Sequence, residues 1–238
     1  MNNILIIAST YNELAQTLGS IILKPGQVTT VFSNDTLKID AFVTGIGMVA
    51  TAYHLTKHLC NQTYNMVLQA GVGGSFNRNI NLGDLVNVVS DCFIELGTFT
   101  EKFETVFDLN LYNKNEAPFL DGFLHSDTPV GLLKTLPQVK AITVNQITGN
   151  SAQISYLEQI FNQLNYHPTI ESMEGAAAFY VCSSLQTPIY QVRAISNYVE
   201  PRNRNNWQLD HAFASIHQFL ERWIEQFKQC SISENRLH

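Results

Sequence analysis

The sequence is short of charge and of cysteine and has no long apolar run, and each shortage removes a class of protein. Asp, Glu, Lys and Arg make up 14% of the 238 residues, with fourteen Lys and Arg against twenty Asp and Glu. A net charge of −6 and a pI near 5.6 provide no positive field for a nucleic-acid backbone or an anionic lipid surface, so the expected ligand is a small molecule. The four cysteines, Cys60, Cys92, Cys182 and Cys230, stand far apart without a Cys-x-x-Cys pair. That spacing is neither a zinc knuckle nor a disulfide framework. No apolar stretch approaches the ~20 residues of a membrane span. Met1–Asn3 lead into Ile4–Ala8 without a basic leader or a cleavage site, which predicts a cytoplasmic protein.

What is present is an ordinary globular composition, 45% hydrophobic, in a chain long enough to bury its own core. Apolar runs alternate with helical periodicity. Strands are expected at Ile4–Ala8, Val28–Phe32, Leu37–Val43, Val67–Ala70, Leu85–Val89, Ala141–Gln146 and Ile189–Ala194. Helices are expected at Ala50–Leu59, at Ala176–Leu185 and over Leu209–Lys228, where Phe213, Ile216, Phe219, Leu220, Trp223 and Phe227 recur on one face. The succession predicts one α/β domain over residues 1–230 around a central sheet, then a polar tail over 231–238. Phe93–Leu124, rich in Phe and poor in periodicity, reads as an excursion that covers a site or contacts another subunit. Ligands of open α/β sheets sit beyond the carboxyl ends of strands, which singles out Ser9–Glu13, Gly45–Met48, Ala70–Ser75, Ile147–Asn150 and Ser196–Arg204.

Several local patterns carry little weight. Gly45-Ile46-Gly47-Met48-Val49-Ala50 satisfies the dinucleotide fingerprint formally, but Val67–Gly73 lacks the acidic residue that would grip a ribose. Ala70–Ser75 lacks the Gly-Lys-Ser/Thr ending of a phosphate-cradling loop. His54 and His58 share a helical face without an intervening Glu or a third ligand, and are expected to be a solvated surface. No G-x-S-x-G elbow is present. No cofactor or metal is expected, and the chemistry falls to carboxylates, amides and guanidiniums.

Glu13 follows the first strand, Glu174 precedes a helix in Ser172-Met173-Glu174-Gly175-Ala176-Ala177, and Arg193 and Asn197 bracket Ala194-Ile195-Ser196. Singly, each has a bland explanation: a helix N-terminus, a turn or an ion pair. Together, and with Gly45–Ala50, Glu171–Gly175 and Val192–Asn197 in order, the chain resembles the nucleoside phosphorylase superfamily from Ile4 to the last helix. The closest likeness is to its nucleosidase branch, which includes methylthioadenosine/S-adenosylhomocysteine nucleosidases and futalosine hydrolases. Within it Asn197–Trp207 is similar to the futalosine hydrolases. The resemblance implies a mixed, partly barrel-like sheet flanked by helices, and subunits paired as a homodimer.

It also implies roles. Glu13 would take a proton from the attacking water, Arg193 would hold that water, and Glu174 would accept hydrogen bonds from the ribose hydroxyls. Met173, Ser172, Ile46, Gly73, Gln146, Ile147 and Phe213 would contact substrate. Asn197, where methylthioadenosine nucleosidases carry Asp, offers a carbonyl and an N–H that match a 6-oxopurine. Ala8–Asn12 and Ala70–Ser75 lack Arg and Lys, so water replaces phosphate as the nucleophile. Arg202 or Arg204 would pair with a carboxylate on the substrate's side chain. The branch's water-holding Ser and base-stacking aromatic are missing at Ala70–Gly73 and Asn145–Ile147, leaving Ser75, Phe76 or an aromatic of Phe93–Leu124 as substitutes. The implied reaction is hydrolysis of futalosine to hypoxanthine in menaquinone synthesis. The alternatives are a methylthioadenosine/S-adenosylhomocysteine or aminofutalosine nucleosidase, and a non-catalytic nucleoside-binding protein.

Overall fold

The computed structural model describes the backbone of residues 1–234 and side chains through residue 230. In chain order the elements are β1 (Asn2–Ala8), α1 (Ala15–Leu18), β2 (Val28–Ser33), β3 (Leu37–Val43), α2 (Met48–Leu59), β4 (Met66–Ser75), β5 (Leu85–Asp91) and the short pair β6 (Gly97–Phe99) and β7 (Phe103–Thr105). They continue with β8 (Leu124–His125), β9 (Gln138–Thr143), α3 (Ser151–Leu164), β10 (Ile170–Ser172), α4 (Gly175–Ser184), β11 (Ile189–Tyr198) and α5 (Leu209–Glu234).

The main sheet runs β10-β9-β5-β11-β4-β1-β3-β2, and β10 pairs again with β4. That second pairing, Ile170 with Ser75 and Glu171 with Gly74, closes β4, β11, β5, β9 and β10 into a five-stranded ring. β1, β3 and β2 extend it as an open wing. Parallel pairs such as β1–β4 and β4–β11 mix with antiparallel pairs such as β5–β11, so the expected mixed, partly barrel-like sheet is what the chain adopts.

Period-two alternation along buried strands divides the core. Ile4, Ile6 and Ala8 of β1 face one way, onto Ile216, Leu220 and Trp223 of α5. Leu5 and Ile7 face the other, onto a cluster that includes Leu55 of α2 and Phe179 of α4. A third cluster forms where Leu157, Ile160 and Phe161 of α3 meet Ile142 and Val144.

Four expectations need correction. The strand expected at Ala141–Gln146 spans Gln138–Thr143, because its register is set by pairing with β5 and β10, and Asn145–Ile147 lie exposed beyond it. β4 and β11 run on to Ser75 and Tyr198 because they pair with each other past the point where their apolar runs stop. His54 and His58 are half-buried and bonded: His54 Nδ1 lies 2.8 Å from Thr44 O, and His58 stacks on Phe42 with Nε2 2.9 Å from Tyr64 Oη. Because the Tyr64 hydroxyl donates to Asp40, His58 Nε2 carries the proton toward Tyr64. Finally, α5 continues to Glu234, into the segment expected as a tail, of which 235–238 lie outside the described residues.

Candidate active site

Loops after β1, β3 and β10, together with the ends of β4 and β11, converge on a cavity of about 250 Å³. Glu13 closes a short 3-10 turn, Tyr11–Glu13, and is 3% exposed. Its Oε2 accepts hydrogen bonds from Ser9 Oγ at 2.7 Å, Thr10 N at 2.8 Å and Thr10 Oγ1 at 3.0 Å. Oε1 receives only a long contact, 3.3 Å, from Val72 N. One oxygen is thus saturated by the protein and the other is left for a ligand.

Arg193 lies beside it, 1% exposed. Nε donates to Gln191 Oε1 at 2.9 Å and Nη1 to Val72 O at 3.2 Å, while Nη2, buried, has no acceptor among the described residues. The two charges meet over Gly71, where a Cβ would lie 2.6 Å from Arg193 Nη1 and 2.7 Å from Glu13 Oε1. Only glycine leaves room for them.

Glu174 caps the start of α4 and faces the same pair. Its Oε1 accepts from Gly47 N at 2.8 Å, and Oε2 lies 3.8 Å from Arg193 Nη1. Burial pushes its carboxyl above the ordinary value, Arg193 and the Gly47 amide oppose that rise, and Glu13 adds to it. The glycine pair that mimics a dinucleotide fingerprint therefore serves another purpose. Gly47, with φ of 86°, turns its amide onto a carboxylate from a distant part of the chain.

A bulge in β11 shapes one end of the cavity. Ile195 pairs with Gly73 and Asn197 with Gly74, so Ser196 is the extra residue. Asn197 Nδ2 lies 3.1 Å from Tyr198 O, which accepts only, so that atom is the amide nitrogen. Oδ1 then accepts from Ser196 Oγ at 2.8 Å. One N–H and one lone pair of Asn197 remain for a ligand.

The comparison with known families follows from this arrangement. Residues 22–233 match the family model described as the Phosphorylase superfamily. The chain belongs to the phosphorylase superfamily. It is 27% identical over 167 residues to a futalosine hydrolase of Streptomyces coelicolor, a match covering 66% of this chain and 64% of that protein. It is equally identical, over the same number of residues, to a 5′-methylthioadenosine/S-adenosylhomocysteine nucleosidase of Haemophilus ducreyi, covering 66% of each. The sequence match thus spans a little under two thirds of these curated relatives. Among solved structures, a futalosine hydrolase variant of Helicobacter pylori superposes with a TM-score of 0.76 at 17% identity, over 95% of this chain and all of that one. The 5′-methylthioadenosine/S-adenosylhomocysteine nucleosidase of the same organism, with butyl-thio-DADMe-Immucillin-A, superposes at 0.75 and 17% identity, over 95% of this chain and 99% of that one. At such identity the structural likeness is one of fold.

Of the residues expected to form the site in this phosphorylase-superfamily chain, Glu13, Ile46, Gly73, Ile147, Ser172, Met173, Glu174, Asn197 and Phe213 line the cavity, and Arg193 stands behind Gly71. Besides Arg193, three others do not line it. Gln146 is exposed, its Oε1 3.4 Å from Gln153 Nε2, and Arg202 and Arg204 lie on the exposed loop after β11. Arg202 sits over the Trp207 ring, 5.6 Å from its centroid, and Trp207 does line the cavity. The suggested substitutes are also elsewhere: Ser75 bonds to Thr169 O and Asn77 O, and Phe76 packs edge-on against Phe161. None of Phe93–Leu124 lines this cavity. The aromatic wall is Trp207 and Phe213 instead.

Sequence reasoning gave no contact role to Val144, Glu171, Trp207 or Leu209, which line the cavity, and named Ser9 and Thr10 only as part of the segment Ser9–Glu13. Ser9 and Thr10 were legible as polar residues ahead of Glu13. Glu171 was not, because its place depends on the pairing that closes the ring.

Proposed function

We propose that this chain is a nucleosidase that hydrolyses futalosine, a 6-oxopurine nucleoside, to hypoxanthine and dehypoxanthine futalosine on the way to menaquinone. Water is the nucleophile. Glu13 Oε1 takes its proton, and the buried Arg193 Nη2 supplies the donor that orients it. Glu174, already anchored by Gly47 N, accepts from the ribose hydroxyls and lends negative charge to the cationic sugar as the base departs. Met173 packs against the sugar, and Trp207 and Phe213 against the apolar faces of the ligand.

The observation that carries the choice of base is the amide of Asn197. With Oδ1 held by Ser196 and Nδ2 by Tyr198 O, its free N–H suits a 6-oxo oxygen and its free lone pair a protonated ring nitrogen. The test is chromatography of protein incubated with futalosine, aminofutalosine, inosine and methylthioadenosine, each with and without phosphate. Hypoxanthine from futalosine without phosphate is the expected product. Adenine release from the amino substrates would overturn the base assignment in favour of the nucleosidase class represented by the Haemophilus relative. Binding without turnover would leave a nucleoside-binding protein.

Recognition of the side-chain carboxylate falls to Arg202, which is tied to the site through Trp207, with Arg204 beside it on the same loop. Arg202→Ala should raise KM for futalosine far more than for inosine, and equal effects on both would count against this role.

A homodimer is the proposed assembly. Val49 and Tyr53 of α2 are 82% and 59% exposed, and Met48 shares a cleft with Phe93 and Leu96. Leu96, Leu111 and Leu120 expose further apolar surface from the excursion.

A further inference from the structure

Asn197 offers the base an amide, which holds a heterocycle in place and has no proton to give. Yet breaking the C1′–N9 bond leaves its electron pair on the base, and departure near neutral pH is eased by a proton delivered to the ring. We infer that Glu171 is the acid that delivers this proton. The inference rests on the nucleosidase reading above.

Glu171 stands on β10 opposite Gly74 of β4, and Gly74 is in turn opposite Asn197 of β11. Gly74 has no side chain to separate them. A Cβ there would lie 3.0 Å from Asn197 Nδ2 and 3.5 Å from Glu171 Cγ, so carboxyl and amide flank one glycine on one face of the sheet. Both line the cavity. The end of the cavity that receives the base therefore holds two polar groups, one that binds and one that can ionise.

Thr148 fixes the carboxyl. Its amide donates to Oε1 at 3.0 Å, and its hydroxyl lies 2.6 Å from Oε2. A neutral Glu171 keeps the first bond, and its own O–H turns between Thr148 Oγ1 and the base. The side chain is 3% exposed, and burial pushes its carboxyl above the ordinary value against the pull of both Thr148 bonds. Glu95 acts in the same direction as burial. Opposite it in the sheet, β4 and β9 place Gly74 and Ile142, and β11 adds Asn197, none of them ionisable.

The step balances. The C1′–N9 bond breaks with its pair going to the base, the Glu171 proton moves to the base, the water oxygen bonds C1′, and the water proton passes to Glu13. One proton returned through solvent from Glu13 to Glu171 resets the site.

The test is kcat as a function of pH for the wild type and Glu171→Gln, using whichever nucleoside the wild type cleaves. The wild-type rate should fall at high pH through a single ionisation. Glu171→Gln should be about 100-fold slower and should lack that alkaline limb. An unchanged rate, or a lowered rate with the limb intact, overturns the assignment while leaving the nucleosidase reading in place. A wild type that cleaves no nucleoside overturns both. Thr148→Val, which keeps the carboxyl, serves if Glu171→Gln does not fold. It removes a bond that favours the anion, so the limb should move to higher pH, and an unmoved limb overturns the assignment.

Discussion

Arg193 is the residue on which the site turns. It is buried, it approaches Glu174 at 3.8 Å, and it converges with Glu13 over Gly71 and Val72, so one guanidinium stands beside both carboxylates. Glu174 is the less supported of the two, because desolvation outweighs Arg193 and Gly47 and raises its pKa. In the proposed role it must be ionised to accept from both ribose hydroxyls and to face a cationic sugar. The sign follows: lowering the pH neutralises it, so kcat/KM should fall on the acid side, with a midpoint above the ordinary Glu value of about 4.3. A rate that holds steady down to pH 4 would contradict this role. The carboxylates, the guanidinium and the amide were all legible as residue types in the sequence. Their partners were not, since Gly47 and Glu174 are joined only by folding.

At the scale of elements, β4 and β11 make the site by running side by side past Gly71, Gly73 and Gly74. Two of these glycines admit functional side chains from a neighbouring strand, Arg193 at Gly71 and Asn197 and Glu171 at Gly74, while Gly73 lies against the Glu171 carbonyl. Gly71→Ala should therefore push Glu13 and Arg193 apart. A clash of this kind costs about 1–3 kcal/mol of stability, which a domain of ordinary stability, about 5–15 kcal/mol, survives. A displacement of about 1 Å at the reacting groups costs roughly 100-fold in rate, so kcat should fall by about that factor in a folded variant. A near-normal rate with a normal melting curve would show that the glycine is not needed for the geometry. β1, with its unbroken apolar run Ile4–Ala8, and β3, whose apolar residues alternate with Lys38 and Asp40 before Ala41–Val43, were readable from sequence, as was the face of α5. β10 was not, being three residues held by two neighbours, nor was α3, whose Asn150 cap and scattered apolar residues give a weak pattern.

At the scale of the whole molecule, Asp91 is a fully buried carboxylate that does not line the cavity. Asp91 ends β5, its Oδ1 accepting from Cys92 N at 2.8 Å and Thr143 Oγ1 at 3.0 Å, while a Cβ on Gly175 would strike its Oδ2. Burial raises its pKa to about 7, with Thr143, Cys92, Arg193 and Gln191 pulling it back. Between the unfolded value of 3.8 and about 7 the folded state binds the extra proton, so stability contributed by the neutral form is lost as pH rises through that window. Asp91→Asn should flatten this part of the profile in denaturant melts taken from pH 4 to 8, and an unchanged slope would refute the assignment. On the outside, Val49 is the most exposed apolar side chain of α2. If that face pairs two copies, Val49→Glu should yield a monomer in analytical ultracentrifugation, whereas a wild type that sediments as a monomer would remove the dimer from the proposal.

By itself the sequence determined the α/β class, the apolar strands that fill two faces of the sheet, and the set of groups able to do chemistry. These are local properties, set by side-chain period and by residue type. The closure of the five-stranded ring belongs to tertiary structure alone, because Glu171 meets Gly74 only when a three-residue strand bridges β9 and β4. So does the separation of Gln146, Arg202 and Arg204 from the cavity lining and the arrival of Trp207 in it. Those outcomes depend on where loops run after their strands end, and a chain's local pattern carries no term for the distance between residues that only a closed sheet brings together.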